Sequence, residues 1–216
     1  MLRDEVQSEA EKIDMRLPIC LAVIFVALQT TQLFAAAAGA EAHLRKYEVP
    51  IPTAGLVVIC HGFACRYRTA VNLSAKDISR LREILDRGRR NARDEINAVA
   101  NAVAWFERRV GSLTGTSRRT PRAGPGQAGL RSEVDCIDAS VNTTSLLLLL
   151  ESNNLLRHHA VADPESRGYL LDMRYPHVTA VIENLTTGAR WAIDPWTKKN
   201  GERPDTLPLE RWMSGS

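Results

Sequence analysis

Apolar and polar positions alternate, recur or run together along the chain in ways that divide it into elements. Residues 56–60 (Leu-Val-Val-Ile-Cys) are a continuous apolar run and residues 66–73 alternate, which predicts two short strands joined by a hairpin through His61-Gly62-Phe63-Ala64. Ser74 followed by Asp77 has the form of a capping box; Ile78, Leu81, Ile84 and Leu85 then share one helical face, and Gly88 ends the helix. A second helix is predicted over 92–110, where Ile96, Val99, Val103, Phe106 and Val110 recur at helical spacing and Gly111 acts as the stop.

The period disappears over 112–132, a Gly-, Pro-, Thr- and Arg-rich stretch read as a flexible loop. Asp135-Cys136-Ile-Asp138 then opens the most apolar stretch after residue 40, at 141–150. Its length and the cap-like Asp135 favour a buried helix that places Cys136 at the N-terminus and ends at Asn153-Asn154. Residues 155–162 are expected to be short and extended, and 163–168 to form a turn. Strands are predicted at 178–182 and 190–194, joined by a hairpin turn at 184–188 and closed by Asp194-Pro195. Helices first and strands later indicate an α+β fold, and the chain carries no internal repeat.

The N-terminus follows a different logic. No charge occurs between Arg16 and Glu41, the run 21–28 is apolar, and 35–40 is made of alanines and one glycine, which is the layout of a secretory signal. Residues 1–14 are acidic and polar and are read as a start called too early; 15–40 is the signal, starting at Met15 and cut between Ala36 and Ala42, and 41–216 is a single domain. The alternative is an uncleaved segment that anchors the chain in a membrane. Loss of residues 1–40 raises the formal charge from +3 to +5. The basic residues are scattered without interleaved aromatics, which argues against nucleic-acid binding. No stable membrane insertion is expected once the signal is removed.

Export changes the meaning of the cysteines. Cys60, Cys65 and Cys136 remain after cleavage, and an odd count in an oxidising compartment leaves one thiol over. Cys60 and Cys65 flank a tight turn and are assigned as the disulfide, which makes Cys136 the free thiol; its pairing with either of the other two is the alternative. Cys60-His61 and Cys65 with His158-His159 also allow a zinc reading, but the spacing fits no common zinc signature, so neither metal nor cofactor is expected.

A thiol at a helix N-terminus is a candidate nucleophile when an imidazole is at hand. If the last two strands are a hairpin, His177 at the head of one lies beside Asp194 at the end of the next, and a carboxylate there fixes the imidazole's tautomer and orientation. Asp138 is either a support for the thiol or a simple helix cap. Trp191, Trp196 and Trp212 are expected to pack near the site, Trp191 and Trp196 being the candidates for a substrate cleft. Taken singly, Cys136 reads as an inert core cysteine, His177 as a strand-end residue and Asp194 as a turn residue; their order is what favours a site.

That order resembles the transglutaminase-like branch of the papain-like cysteine enzymes. The matching pieces are Asp135-Cys136-Ile-Asp138, His177-Val-Thr-Ala-Val-Ile182 and Trp191-Ala-Ile-Asp194-Pro195-Trp196, with spacings of 41 and 17 residues between Cys136, His177 and Asp194. The likeness extends over 127–212 and is strongest to exported bacterial transglutaminase-like cysteine proteinases. It implies a papain-like core in which the nucleophile helix packs on a small antiparallel sheet. Cys136 would be nucleophile, His177 general base and acid, and Asp194 the orienting group. The Cys136 backbone N–H would form the oxyanion hole with a donor from the preceding loop, for which Gln127 is the candidate. Val178 departs from the aromatic often found after the histidine, and Gly-x-Cys-Trp is absent. The implied function is an exported thiol hydrolase or acyl transferase acting on peptide or isopeptide bonds, with a cell-surface protein or peptidoglycan peptide as substrate, in the periplasm or outside the cell. The alternative is a catalytically silent binding domain on the same scaffold.

Overall fold

A computed structural model of the chain describes residues 38–168 and 176–215. The predicted signal therefore lies almost wholly outside the described residues. What is described of it is the start of a helix over 38–46, here α1, whose Ala40 and Leu44 are fully buried in the core. The order continues β1 (Leu56–His61), β2 (Tyr67–Asn72), α2 (Ala75–Asp86), α3 (Ala92–Thr114), a 3-10 turn (Pro125–Gln127), α4 (Cys136–Ser152), β3 (His159–Arg167), β4 (His177–Asn184), β5 (Arg190–Asp194), β6 (Asp205–Pro208) and α5 (Leu209–Ser214). The fold is α+β, with one antiparallel pair β1-β2 and one four-stranded antiparallel sheet ordered β3-β4-β5-β6.

Local signals in the chain account for most element ends. Ser74 Oγ accepts the Asp77 N–H at 3.2 Å while Asp77 Oδ2 accepts the Ser74 N–H at 2.9 Å, the reciprocal box expected at the start of α2. Asp77 also holds the Arg109 guanidinium on α3 with two bonds of 3.0 and 3.2 Å. Helix α4 has thirteen of its 17 residues buried and touches both sheets, which explains why its five leucines show no single apolar face. Each leucine there contributes about 2 kcal/mol over an exposed one.

Three expectations need correction. Helix α3 does not stop at Gly111; it runs to Thr114 and ends at Gly115, whose φ of 80° supplies the left-handed cap. Gly111 lies inside the helix, where Asn200 packs so close that a Cβ would sit 2.7 Å from its Nδ2. Residues 163–167 are not a turn but the second half of β3, whose register breaks between Ala162 and Glu165. Pro164 sits in that bulge on the edge strand, where no ladder N–H is required of it. Residues 112–132 are irregular beyond α3, and they are tied down. Arg119, 3% exposed, binds Glu107 Oε1 at 2.7 Å and the Pro195 carbonyl at 2.9 Å, and Thr120 N–H donates to Glu133 at 2.7 Å.

Candidate active site

The site begins with the β4-β5 hairpin. Ala180 pairs with Ile193 and Val181 with Ala192, so the strand head at His177 and the strand end at Asp194 come to the same end of the β4-β5 pair, in the middle of the sheet. The result is a hydrogen bond of 2.6 Å between His177 Nε2 and Asp194 Oδ2. Both residues are buried, at 5% and 2% exposure. Asp194 is also a hub: its Oδ2 accepts the Trp212 Nε1–H at 3.0 Å and its Oδ1 accepts the Trp196 N–H at 3.2 Å. The imidazole is flanked by indoles, with ring centroids 4.5 Å from Trp196 and 5.2 Å from Trp212. Among the described residues, His177 Nδ1 is buried without a hydrogen-bond partner.

Cys136 is the first residue of α4 and the free cysteine among the described residues. Asp135 caps the helix by accepting the Asp138 N–H at 2.8 Å. The thiol faces the start of β4, its Sγ 3.8 Å from the Pro176 carbonyl oxygen. Burial pushes this thiol up to about 11; the Val178 N–H pulls the other way, the Asp135 and Asp194 charges push it further up, and its own N–H opposes them. Cys136 and His177 line one cleft of about 540 Å³, together with His43, Lys46 and Tyr47 from α1 and its end and Pro164 and Ser166 from β3. His177 also lines a second cavity of about 440 Å³ with Arg122, Arg167, Trp196 and Thr197. Both volumes fall in the range of small-ligand pockets.

The other candidates divide. Trp196 lines the second cavity, whereas Trp191 packs against the main core, away from His177. Gln127 is not among the cleft residues; its Oε1 accepts the Gly124 N–H at 2.9 Å and closes the 3-10 turn. Asp138, fully buried, turns to the disulfide hairpin, accepting the Cys65 N–H at 2.7 Å and the Phe63 N–H at 2.9 Å. Cys60 and Cys65 are joined as a disulfide, so although their sulfurs lie near Asp138 they are bonded to each other and offer no thiolate pair to a metal. His61 is engaged by Thr69 and the Arg131 carbonyl, His158 by the Arg89 carbonyl and His159 by Glu95, so the histidines of the zinc reading are dispersed.

Sequence reasoning missed two contributors. Trp212 was expected only to pack nearby, yet its indole N–H is a direct partner of Asp194; nothing local in the sequence distinguishes this tryptophan. The wall built by His43, Lys46 and Tyr47 was hidden by reading the alanines before it purely as a cleavage region, although Ala40, Leu44 and Tyr47 already stand at helical spacing. His43 lies 3.1 Å from Ser140 Oγ, and burial, then Lys46, hold its pKa down to about 4, so it is neutral at physiological pH. Comparison with family models, with curated proteins and with solved structures finds no match to this chain.

Proposed function

We propose that this chain is a thiol enzyme of the transglutaminase-like branch of the papain-like group, acting on amide bonds. One observation carries the reading: His177 Nε2 is fixed on Asp194 at 2.6 Å while its other nitrogen, Nδ1, has no partner among the described residues and lies beside the cleft that holds Cys136. An imidazole oriented on one nitrogen and open on the other is what a base for a neighbouring thiol requires. Sγ attacks the amide carbonyl carbon as its proton passes to Nδ1, and the oxyanion forms beside the Cys136 N–H at the start of α4. The C–N bond then breaks, the amine leaves with the proton from Nδ1, and water deprotonated by the same nitrogen cleaves the thioester. An activated ester is expected to deliver one acyl group per chain, located on Cys136 by peptide mass spectrometry and absent in Cys136→Ala. Acyl groups elsewhere, or none, would sink the reading.

A second reading, a silent binding domain on the same scaffold, is favoured by the buried thiol with its pKa near 11. A protonated thiol without base assistance is not a nucleophile.

The N-terminal sequence pattern and the cysteines support a site of action outside the cytoplasm. Among the described residues no helix is long and apolar enough to cross a membrane, and the Cys60–Cys65 disulfide points to an oxidising compartment outside the cytoplasm. We place the protein in the periplasm or beyond it, with cell-surface protein or peptidoglycan peptide as substrate. Ala40 is buried, and a Cβ on Gly39 would run into the Asp163 carboxylate, so the start of α1 belongs to the folded domain. Intact-mass measurement on exported protein is therefore expected to show a first residue no later than Gly39, narrowing the cleavage window from its C-terminal side. A mature chain starting at Glu41 or Ala42 would contradict it.

A further inference from the structure

The carboxylate that orients His177 is itself aimed from outside the site. Asp194 is followed by Pro195, whose ring fixes φ, so the peptide unit between Pro195 and Trp196 turns on one remaining dihedral. That unit is planar and trans, and its C=O and N–H point in opposite directions. Its N–H end, on Trp196, donates to Asp194 Oδ1 at 3.2 Å. Its C=O end, on Pro195, accepts from the Arg119 guanidinium Nη2 at 2.9 Å and from the Lys198 N–H at 3.1 Å. Whatever holds the carbonyl therefore sets the direction of the N–H, and with it the plane of a carboxylate whose other oxygen lies 2.6 Å from His177 Nε2.

Arg119 is built to be that hold. Its side chain is 1% exposed, and the same Nη2 donates to Glu107 Oε1 at 2.7 Å. Glu107 stands inside α3, a helix of 23 residues, and its Oε2 accepts the Gly201 N–H at 3.2 Å. Its backbone carbonyl accepts from Asn200 Nδ2 at 2.9 Å. The segment from Asp194 to Gly201 is thus pinned at both ends on one glutamate, directly at Gly201 and through Arg119 at Pro195. The Arg122 N–H adds a tie to the Trp196 carbonyl at 2.9 Å, so the indole whose ring lies 4.5 Å from that of His177 is held by the same loop. A buried ion pair is a costly anchor, because apolar side chains of like volume commonly hold a fold as well or better. What the pair adds is direction: a cationic donor fixes and polarises the carbonyl it grips.

We infer that Arg119, seated on Glu107, is a positioning residue for the thiol site: it grips the Pro195 carbonyl so that the Trp196 N–H and Asp194 hold His177 in the orientation that takes the Cys136 proton. This role rests on the acyl-transfer reading of Cys136 and adds what aims its base. Arg119 is not among the residues lining either cleft at His177 and touches no reacting atom, so its effect passes through Asp194.

Labelling of Cys136 by iodoacetamide, followed from pH 6 to pH 10 on the mature chain, tests it. Arg119→Met with Glu107→Gln removes the ion pair, keeps the volume and leaves Gly201 an acceptor; this double variant is expected to melt within about 5 °C of the parent. Its labelling at pH 6, where reaction depends on His177, is expected to fall about tenfold, the scale of one charge-assisted hydrogen bond. Near pH 10 the thiol increasingly ionises without help, and the rates should converge. Arg119→Lys keeps a charged donor without the planar fork and should lose about threefold at pH 6. A fall of the same size at both pH values marks a general loosening and overturns the inference, as does labelling at the parent rate at pH 6 in either variant. If the double variant does not fold, the lysine variant decides alone by the same comparison. The parent chain reports on the underlying reading. Labelling at pH 6 no faster than in His177→Ala removes the thiol-enzyme reading and this role with it, whereas parent labelling that depends on His177 and not on Arg119 removes the positioning role alone.

Discussion

In His177→Ala, Cys136 of the mature chain is expected to lose reactivity toward iodoacetamide at pH 6 by at least about a hundredfold. Burial together with the Asp135 and Asp194 charges pushes the isolated thiol to about 11. On its own it would be thiolate in roughly one molecule in 10⁵ at pH 6, far below an ordinary cysteine. Reaction at that pH then requires the proton to have moved to His177 Nδ1, with the Asp194 carboxylate 2.6 Å from Nε2 to balance the charge that results. The native chain should therefore label at a rate that stays substantial from neutral pH down to pH 6. The variant's rate should climb about tenfold per pH unit toward 11. A native profile identical to that of the variant would establish the thiol as inert and hand the molecule to the silent-domain reading. Asp194→Asn is expected to lose much of the low-pH reactivity: its amide oxygen can still accept from His177 and Trp212, but it carries no charge to balance the imidazolium, and its NH2 faces the Trp196 N–H. Asp194→Ala strands both donors in a buried place, at a cost of about 2 to 4 kcal/mol in stability as well as reactivity.

What could be read from the chain, and what could not, follows the range of the interactions. The Ser74 and Asp135 caps, the Cys60–Cys65 turn and the hairpin at 184–188 are settled by residues within five positions of one another, and the structure has each of them. His177 beside Asp194 belongs here too, because a tight hairpin converts a separation of 17 residues into a cross-strand neighbour. Gly111 misled because its role is tertiary: it makes room for Asn200, and no helix-stop signal separates that use from a cap. Strand β6 and the return of Trp212 onto Asp194 depend on a connection whose path no local pattern encodes. The basic lining of the second cavity was invisible for the same reason. Arg122 and Arg167 lie 45 residues apart and share that lining in a fold where the Arg122 N–H is tied to the Trp196 carbonyl.

Asp138→Ala is expected to destabilise the fold by about 3 to 5 kcal/mol, the scale for removing one side of a buried, charge-assisted network. In a domain of this size that lowers the melting temperature by roughly 10 °C. Gly62, Phe63, Ala64 and Cys65 all have positive φ, from 49° to 81°, an arrangement only glycine adopts without cost. Their amides are held by the helix end: Phe63 and Cys65 N–H donate to Asp138, and Ala64 N–H to Asp135. The two carboxyls bracket Cys136, so the disulfide turn and the nucleophile's helix end are one structure. Burial, then the Asp135 charge, raise the Asp138 carboxyl from the ordinary 3.8 to about 7 in spite of those N–H donors. The folded chain thus retains a proton that the unfolded chain releases. Its contribution is fully present below about pH 4 and is lost as pH rises through about 7, while His43, held down to about 4, contributes with the opposite sign up to its ordinary 6.5; the Asp138 contribution is therefore read as the difference between native and Asp138→Asn melting temperatures, which should shrink as pH rises over that window. Asp138→Asn removes this linkage while lowering stability at acidic pH, because its amide group must face one of the N–H donors. A native-minus-variant difference that grows between pH 4 and 7 would show the donors winning over burial. Reducing the Cys60–Cys65 bond at neutral pH should cost about 2 kcal/mol for so short a loop. It should also slow Cys136 labelling, because the turn that holds Asp135 and Asp138 is what fixes the thiol at the head of α4.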